Sequence, residues 1–425
     1  MDQMTTLNNR TLYFLHIPKT AGGTLIYLLD NYFHHSEIFP ALLMSDLLKV
    51  PHLVQAINDY RFIRGHFDYS VCHLLEPPFD VFTMLRDPVE RSVSQYEHGR
   101  RHQDATYWDL NKLVSDTMPF ADFLTTEEAK EFLGNIQTRS FVPEWYDISN
   151  FKWDTAHPVA SEEMLLDLAK KRLEAALFVG LQERFADSLR LLLFKLHLPR
   201  PKQLISYNVA EKRSKVSELS REVQNQLREL NNLDIQLYEF GWDLFEERFA
   251  AMSSYLNEMF PGKSIDEQLD QYYDQHRVAN QLSVTLPARF SFDQPLVGTN
   301  WYQREPFQDG YVRWTGPERI ATLEYPLTAD TDVKVEIAST GAITLDVLES
   351  FQFQVNDTVV PLDRTEGFPG IIFRGVIPAS AFQASKSQTF KFLVDKTIRT
   401  SDIYPESEGN RKLGICIHSI NFTEM

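Results

Sequence analysis

Two short polar clusters in this chain hold residue types that bind anions. The first is HIPKTAGGT, His16 to Thr24, where Lys19 and Thr20 precede the pair Gly22 and Gly23. An apolar run enters this stretch and an amphipathic one leaves it. A strand feeding a glycine-containing turn and then a helix aims several backbone N–H groups and the positive helix end at one point, and Lys19 adds a full charge. The plainer alternative is a tight strand-to-helix turn with a solvated lysine. The second cluster is LRDPVERSVSQY, with Arg86 closing an apolar run and Ser94 eight residues later. That spacing is about two helical turns, so the pair can grip a second phosphate. Here too a plainer alternative stands, in which Arg86 pairs with a carboxylate and Ser94 faces solvent. A Walker A loop carries its lysine after the second glycine, whereas Lys19 precedes both glycines. The pattern therefore speaks against a nucleotide kinase.

The elements that must position these clusters are readable from periodicity. TLYFLHI reads as a buried strand, and Leu25, Ile26, Leu28, Leu29, Tyr32 and Phe33 fall at helical spacings after the glycines. YRFIRGH and FDVFTMLRD are further strands. Asp87 at the cap, Pro88 at the first helical position and Glu90 three residues after the cap mark a helix start. Helical text with a short FVGL strand continues to about residue 260. This alternation predicts an α/β domain with a central parallel sheet over residues 9–260. Residues 261–281 are polar and glutamine-rich, with weak helical character and no obvious core face, and read as a linker or crossover. Residues 282–425 change to period-2 apolar runs between Gly, Pro, Asn and Asp turns, which predicts an all-β sandwich of jelly-roll type. A length of 425 residues agrees with more than one core.

Taken together, HIPKTAGGT and RDPVERSVSQY resemble the two nucleotide-binding motifs of sulfotransferases that use 3′-phosphoadenosine 5′-phosphosulfate (PAPS), in the branch containing the heparan sulfate 2-O- and 6-O-sulfotransferases. The resemblance continues through FVGLQERFADSL and NNLDIQLYEF and implies a P-loop-like three-layer fold. It implies that Lys19, Thr20, Ala21, Gly22, Gly23 and Thr24 cradle the 5′-phosphosulfate, and that Arg86 and Ser94 bind the 3′-phosphate. Lys19 would also stabilise charge on the leaving phosphate, a role in which one lost donor costs ~3–4 kcal/mol. The general base of this family is often a histidine at a strand end between the two motifs, and IRGHFDYS supplies His66, with Asp68 and Glu76 in reserve. An imidazole of near-neutral pKa can take the proton of an attacking hydroxyl, worth ~10²–10⁴ in rate. GNIQTRSF is similar to a segment of the 6-O branch, which places Gln137 and Arg139 in an acceptor cleft. Lys212 and Arg213 fall where related enzymes close a loop over the nucleotide. No metal is implied. The product would be 3′-phosphoadenosine 5′-phosphate (PAP), and the acceptor a glycan or glycolipid hydroxyl.

Other signals are weaker. Arg100 and Arg101 form a basic patch that either faces an anionic acceptor or caps a solvated helix end. Trp301, Tyr302 and Trp314 either make a sugar-stacking platform or fill the β core. The formal charge of -17 and pI near 5.2 argue against nucleic acid as a partner. The two cysteines, Cys72 and Cys416, give neither a disulfide framework nor a zinc site. No signal peptide and no run of ~18 apolar residues is visible, so a cytoplasmic enzyme of bacterial type is expected. The rival readings are a glycan-binding protein on a degenerate scaffold and an ATP-dependent phosphotransferase.

Overall fold

The computed structural model describes residues 10–101, 118–142, 146–147, 152–153, 161–201, 216–279, 284–308, 310–383, 387–404 and 411–425. The chain divides into two compact units. One comprises residues 1–26, 37–200 and 206–274; the other comprises 27–36, 201–205 and 275–425.

The first unit is built on a four-stranded parallel sheet. Its strands are β1 (Thr11–Leu15), β2 (Phe62–Gly65), β3 (Phe79–Leu85) and β4 (Phe178–Leu181), in the order β2-β1-β3-β4. Leu12, Tyr13, Phe14 and Leu15 are all buried, as are all four residues of β2 and of β4. Near-continuous burial is what a parallel sheet covered on both faces requires, and it explains why these strands read as apolar runs without alternation. Helices occupy the crossovers: α1 (Gly22–Leu29) lies between β1 and β2, and α2 (Pro88–Arg101) follows β3. The cap of α2 is as the sequence predicts. Asp87 Oδ1 accepts from the N–H groups of Val89 and Glu90 at 3.0 and 2.9 Å.

Between β3 and β4 come α3 (Glu127–Leu133), α4 (Ile136–Phe141) and α5 (Glu162–Ala175). After β4 come α6 (Phe185–Leu196), α7 (Arg221–Leu230) and the long α8 (Asn232–Met259). Gly241 sits inside α8 at a cost in helix propensity of roughly 1 kcal/mol. A Cβ there would meet Leu85 Cδ1 at 2.5 Å, so the glycine is what lets α8 approach β3. Where α4 begins, Asp234 on α8 is fully buried and accepts from the N–H groups of Gln137 and Thr138 at 2.9 and 2.7 Å. Asn135 returns the bond, its Oδ1 accepting from the N–H groups of Leu233 and Asp234. Two helix starts are thus capped by each other.

The stretch read as a linker or crossover of weak helical character is mostly helix, α9 (Ile265–Ala279), and it does have a core face. Its Leu269 and Tyr272 are buried, and Asp266 and Asp270 receive Arg190 and Arg200, each at 2.8 Å. Two apolar side chains three apart make a stripe too narrow to stand out in a polar text. The ion pairs that hold the helix come from residues far away in the chain.

Among the described residues, the second unit holds two large antiparallel sheets and one short pair of strands, Ile398–Arg399 with Lys412–Leu413. Seven strands make the larger: β5 (Ala288–Ser291), β7 (Glu305–Phe307), β8 (Gly310–Trp314), β10 (Val333–Ala342), β13 (Asp363–Gly367), β14 (Gly370–Ile377) and β16 (Ile415–Glu424). The smaller has β6 (Val297–Thr299), β9 (Ile320–Tyr325), β11 (Gln352–Val355), β12 (Thr358–Val360) and β15 (Gln388–Leu393). Inward residues of both sheets, among them Leu323, Ile337, Phe353, Phe390 and Phe422, form one core. Trp301 and Tyr302 are buried in this unit and Trp314 is half-buried, so Trp301 and Tyr302 are packing residues and not an exposed platform. Among the described residues, no helix is long and apolar enough to cross a membrane.

The mutual caps make a stability prediction. Asp234→Ala strands two buried N–H groups and the neighbouring buried Arg91, and should cost about 3 kcal/mol, read as a drop in the urea midpoint. Asp234→Asn, which keeps one acceptor oxygen, should lose less than half of that.

Candidate active site

In the sheet order β2-β1-β3-β4 the chain moves from β1 to one side and then crosses to the other, so the strand order reverses between β1 and β3. Ligands of open α/β sheets collect outside the carboxyl ends of the strands at such a point. The Lys19 loop leaves β1 there, and Arg86 leaves β3 there. Lys19 and Ala21 have φ of +71° and +67°, whereas Thr20 and Gly22 are not left-handed. Alternating handedness turns successive N–H groups inward, which makes an anion-binding nest. A left-handed alanine costs roughly 1–2 kcal/mol, strain of the kind that persists at functional sites. Thr20 is fully buried and its hydroxyl donates to the Ile17 carbonyl at 2.8 Å, so it serves the loop from within. Thr24, half-buried, donates its N–H to the Ala21 carbonyl at 3.2 Å and closes the first helical turn.

The two glycines have different reasons. A Cβ on Gly22 would lie 2.0 Å from Cδ2 of His16, so only glycine fits against that imidazole. A Cβ on Gly23 would meet nothing within 4 Å: the space above it is open.

Arg86 is 7% exposed and ties the two clusters together. Its Nη1 donates to the Lys19 carbonyl at 3.2 Å, and its Nη2 reaches the exposed carboxylate of Glu90 at 3.5 Å. Ser94 lies one turn beyond Glu90 on the same side of α2, half-buried, so Arg86, Glu90 and Ser94 form a column. The main chain of Arg86 is held twice by one side chain. Gln137 Oε1 accepts from its N–H at 3.0 Å, and Gln137 Nε2 donates to its carbonyl at 2.8 Å.

His66 stands at the carboxyl end of β2, its ring stacked on that of His16 with centroids 4.2 Å apart. Its Nδ1 lies 3.2 Å from the His16 carbonyl. A carbonyl only accepts, so Nδ1 carries the proton and Nε2 is the basic nitrogen. Burial pushes the His66 pKa down to about 4, opposed by that hydrogen bond and assisted by the charge of Lys19. His66 is therefore neutral at ordinary pH. His16 is held well below the usual histidine range by burial, then by His66 and Lys19, and its buried Nδ1 has no hydrogen-bond partner among the described residues.

The model of the sulfotransferase family matches residues 2–241, more than half of the 425-residue chain and inclusive of every group described above. This chain belongs to the sulfotransferase family. Human heparan-sulfate 6-O-sulfotransferase 3 is 28% identical over 188 residues, covering 40% of this chain and 39% of its own length. Zebrafish (Danio rerio) heparan-sulfate 6-O-sulfotransferase 1-B is 26% identical over 186 residues, covering 40% and 45%. The chain thus spans less than half the length of these relatives. Among solved structures, mouse sulfotransferase SULT7A1 complexed with PAP aligns over 63% of this chain and 89% of its own, at 10% identity and a TM-score of 0.25, a likeness too slight to add to the family match.

Within this sulfotransferase-family domain, other expected site residues do different work. Gln137 is fully buried, so it does not line a cleft; it positions Arg86. Arg139 donates to the carbonyls of Lys130, Glu131 and Gly134 at 3.2–3.3 Å, closing the end of α3, and burial brings its pKa down to about 10. Asp68 is occupied as a cap, accepting from the N–H and hydroxyl of Ser70. Glu76 is exposed in the segment entering β3, at the opposite end of the sheet from His66. Arg100 is exposed on α2 with its guanidinium 5.8 Å from the Tyr96 ring centroid. Arg101 ends that helix and its side chain lies outside the described residues, as do Lys212 and Arg213. His16 and Asp234 went unnoticed as site residues. The signal for His16 was its place in the same short cluster as Gly22, six residues ahead of it; Asp234 had none, because its partners are almost a hundred residues away.

Two predictions follow from the loop and the stacked rings. Gly22→Ala should fail to fold or lose at least 3 kcal/mol through the clash with His16, whereas Gly23→Ala should keep the wild-type melting temperature within a few degrees. In His16→Ala, water reaches His66 and the desolvation that lowers its pKa is relieved. The His66 imidazole resonances in a proton NMR titration should then move from a midpoint near 4 toward the ordinary histidine value.

Proposed function

We propose that this member of the sulfotransferase family moves a sulfuryl group from PAPS to a hydroxyl of a saccharide. The observation that carries the reading is the junction of the two clusters: the Arg86 guanidinium donates to the Lys19 carbonyl, which puts a backbone nest suited to an anion beside a buried arginine. The open space over Gly23 leaves room for an anion against the nest and the start of α1. Lys19, Thr20, Ala21, Gly22, Gly23 and Thr24 would hold the 5′ side, and Arg86 with Ser94 the 3′-phosphate. PAPS would supply an activated sulfuryl group whose leaving phosphate needs charge stabilisation but no second nucleophile.

In this reading His66 Nε2 accepts the proton of the acceptor hydroxyl, and its Nδ1–H stays on the His16 carbonyl throughout, fixing the tautomer. A base with a pKa near 4 is unprotonated across the physiological range, although it is a weaker base than a solvated histidine. Lys19 stabilises the charge that develops on the departing phosphate. The saccharide acceptor rests on the names of the relatives, whose own substrate class is printed in them. A cytosolic setting belongs to the same proposal and fits the two buried, unbridged thiols Cys72 and Cys416.

Calorimetric titration of PAP against ATP separates this reading from a phosphotransferase. PAP should bind at least a hundredfold tighter than ATP, and Arg86→Ala should remove that preference; equal or preferred ATP binding overturns it. With PAPS and a panel of glycans, His66→Ala should lower transfer by ~10²–10⁴ while leaving PAP affinity intact. Wild-type kcat/KM should stay flat above the lowered His66 pKa and fall as pH drops through about 4 and the base takes up its proton. Wild-type transfer by His66→Ala would remove the base and leave the nucleotide reading in place.

A further inference from the structure

The outward face of the seven-stranded sheet carries a row of polar side chains that its packing does not require. Arg289 on β5, Asn421 on β16, Glu336 on β10, Arg374 on β14 and Asp363 on β13 stand in register, each directly opposite the next. They line an open groove of about 690 Å³, with Lys334 and Thr423 forming the adjacent outward pair. Arg374 and Glu336 are spent on each other at 2.9 Å, and Arg374 also donates to the Thr365 hydroxyl at 2.8 Å. Among the described residues, the side chains of Arg289, Lys334, Asn421 and Asp363 have no hydrogen-bond or ion-pair partner. Two uncommitted cations therefore face one uncommitted carboxylate, a locally positive groove on a chain of net charge -17.

Aromatic rings continue the same face. A register shift on β16 between Ser419 and Ile417 interrupts the alternation there, so that Ile417 and Ile420 both face the core and His418 comes to the outward face with Asn421. The rings of Phe307 and Phe368 meet His418 edge-on, each at 6.0 Å. Phe368, at the turn between β13 and β14, is 66% exposed. The core is already filled by buried phenylalanines, so an exposed ring at a hairpin tip adds nothing to it. Arg374 lies four residue steps along β14 from its start at Gly370 beside that tip, a span of about 14 Å. Arg289 acts on His418 electrostatically, which joins the polar row to the aromatic end.

A flat apolar ring beside unpartnered hydrogen-bonding groups with surplus positive charge matches the chemistry of a sugar chain bearing anionic groups. The C–H faces of pyranose rings stack on aromatics, hydroxyls pair with Asn and Asp, and carboxylates or sulfate esters pair with Arg and Lys. We propose that this face, from Phe368 and His418 to the row Arg289–Asn421–Glu336–Arg374–Asp363, is a binding site for an acidic saccharide chain. The site needs no nucleotide and is independent of the sulfuryl-transfer reading.

The full chain is titrated calorimetrically, without nucleotide, with oligogalacturonate, dextran sulfate and neutral dextran. Binding of oligogalacturonate alone assigns carboxylate recognition, binding of dextran sulfate alone assigns sulfate esters, and either supports the proposal provided dextran binds at least tenfold more weakly. Phe368→Ala and the double variant Arg289→Ala/Lys334→Ala should each weaken the acidic probe at least tenfold, with melting temperature and PAP affinity unchanged. Phe368→Tyr, which keeps the ring, should bind as wild type. The proposal is overturned if neither acidic probe binds, if dextran binds equally well, or if the variants retain wild-type affinity, since the chain would then bind elsewhere.

Discussion

One buried amide governs the geometry of the site. Gln137 holds the N–H and the carbonyl of Arg86 together, and Arg86 in turn reaches the carbonyl of Lys19. A guanidinium on a long side chain would otherwise spend entropy to settle in one place; with its backbone clamped and its surroundings buried, that ordering is already done in the folded protein. Gln137 is itself placed by the carboxylate of Asp234 at the start of α4, and Asn135 and Asn231 lock α4 to α8. The positioning of one charged group thus runs from the β3 end through a helix start to a carboxylate buried on another helix.

The Lys19 loop and the histidine pair depend on the same frame. Left-handed backbone at Lys19 and Ala21 is unfavourable in isolation and persists because β1 and α1 are fixed at either side. Gly22 exists to admit the His16 ring, the His16 ring stacks on His66, and the His16 carbonyl chooses the His66 tautomer. Burial lowers the basicity of His66 and at the same time keeps it unprotonated. Charge on Lys19 pushes in the same direction, so the cation and the neutral imidazole are compatible neighbours.

Much of the first unit was legible locally. The parallel strands announced themselves as unalternating apolar runs, and the start of α2 by Asp87 and Pro88, because a cap is made of residues within one turn of each other. Gln137 and Arg139 were misread because residue type says polar, while only the fold says buried or capping. The helix over Ile265–Ala279 showed only weak helical character for a related reason: its ion-pair partners Arg190 and Arg200 lie far away in the chain. Aromatic residues of the second unit were visible in the text, but nothing in it separates buried Trp301 from exposed Phe368.

Sequence by itself determined what is local: the order of strands and helices in the first unit, the glycine turn with its early lysine, and the pairing of that turn with Arg86 and Ser94 in motifs that name a family. These depend on contacts within a few residues, where spacing is geometry. Tertiary structure alone decided that Arg86 meets Lys19, that His16 backs His66, and that Gln137 faces inward. It also set Arg289, Asn421, Glu336, Arg374 and Asp363 in one row. Those juxtapositions are made by sheet register and by burial, and both are properties of strands and helices that come together from distant parts of the chain.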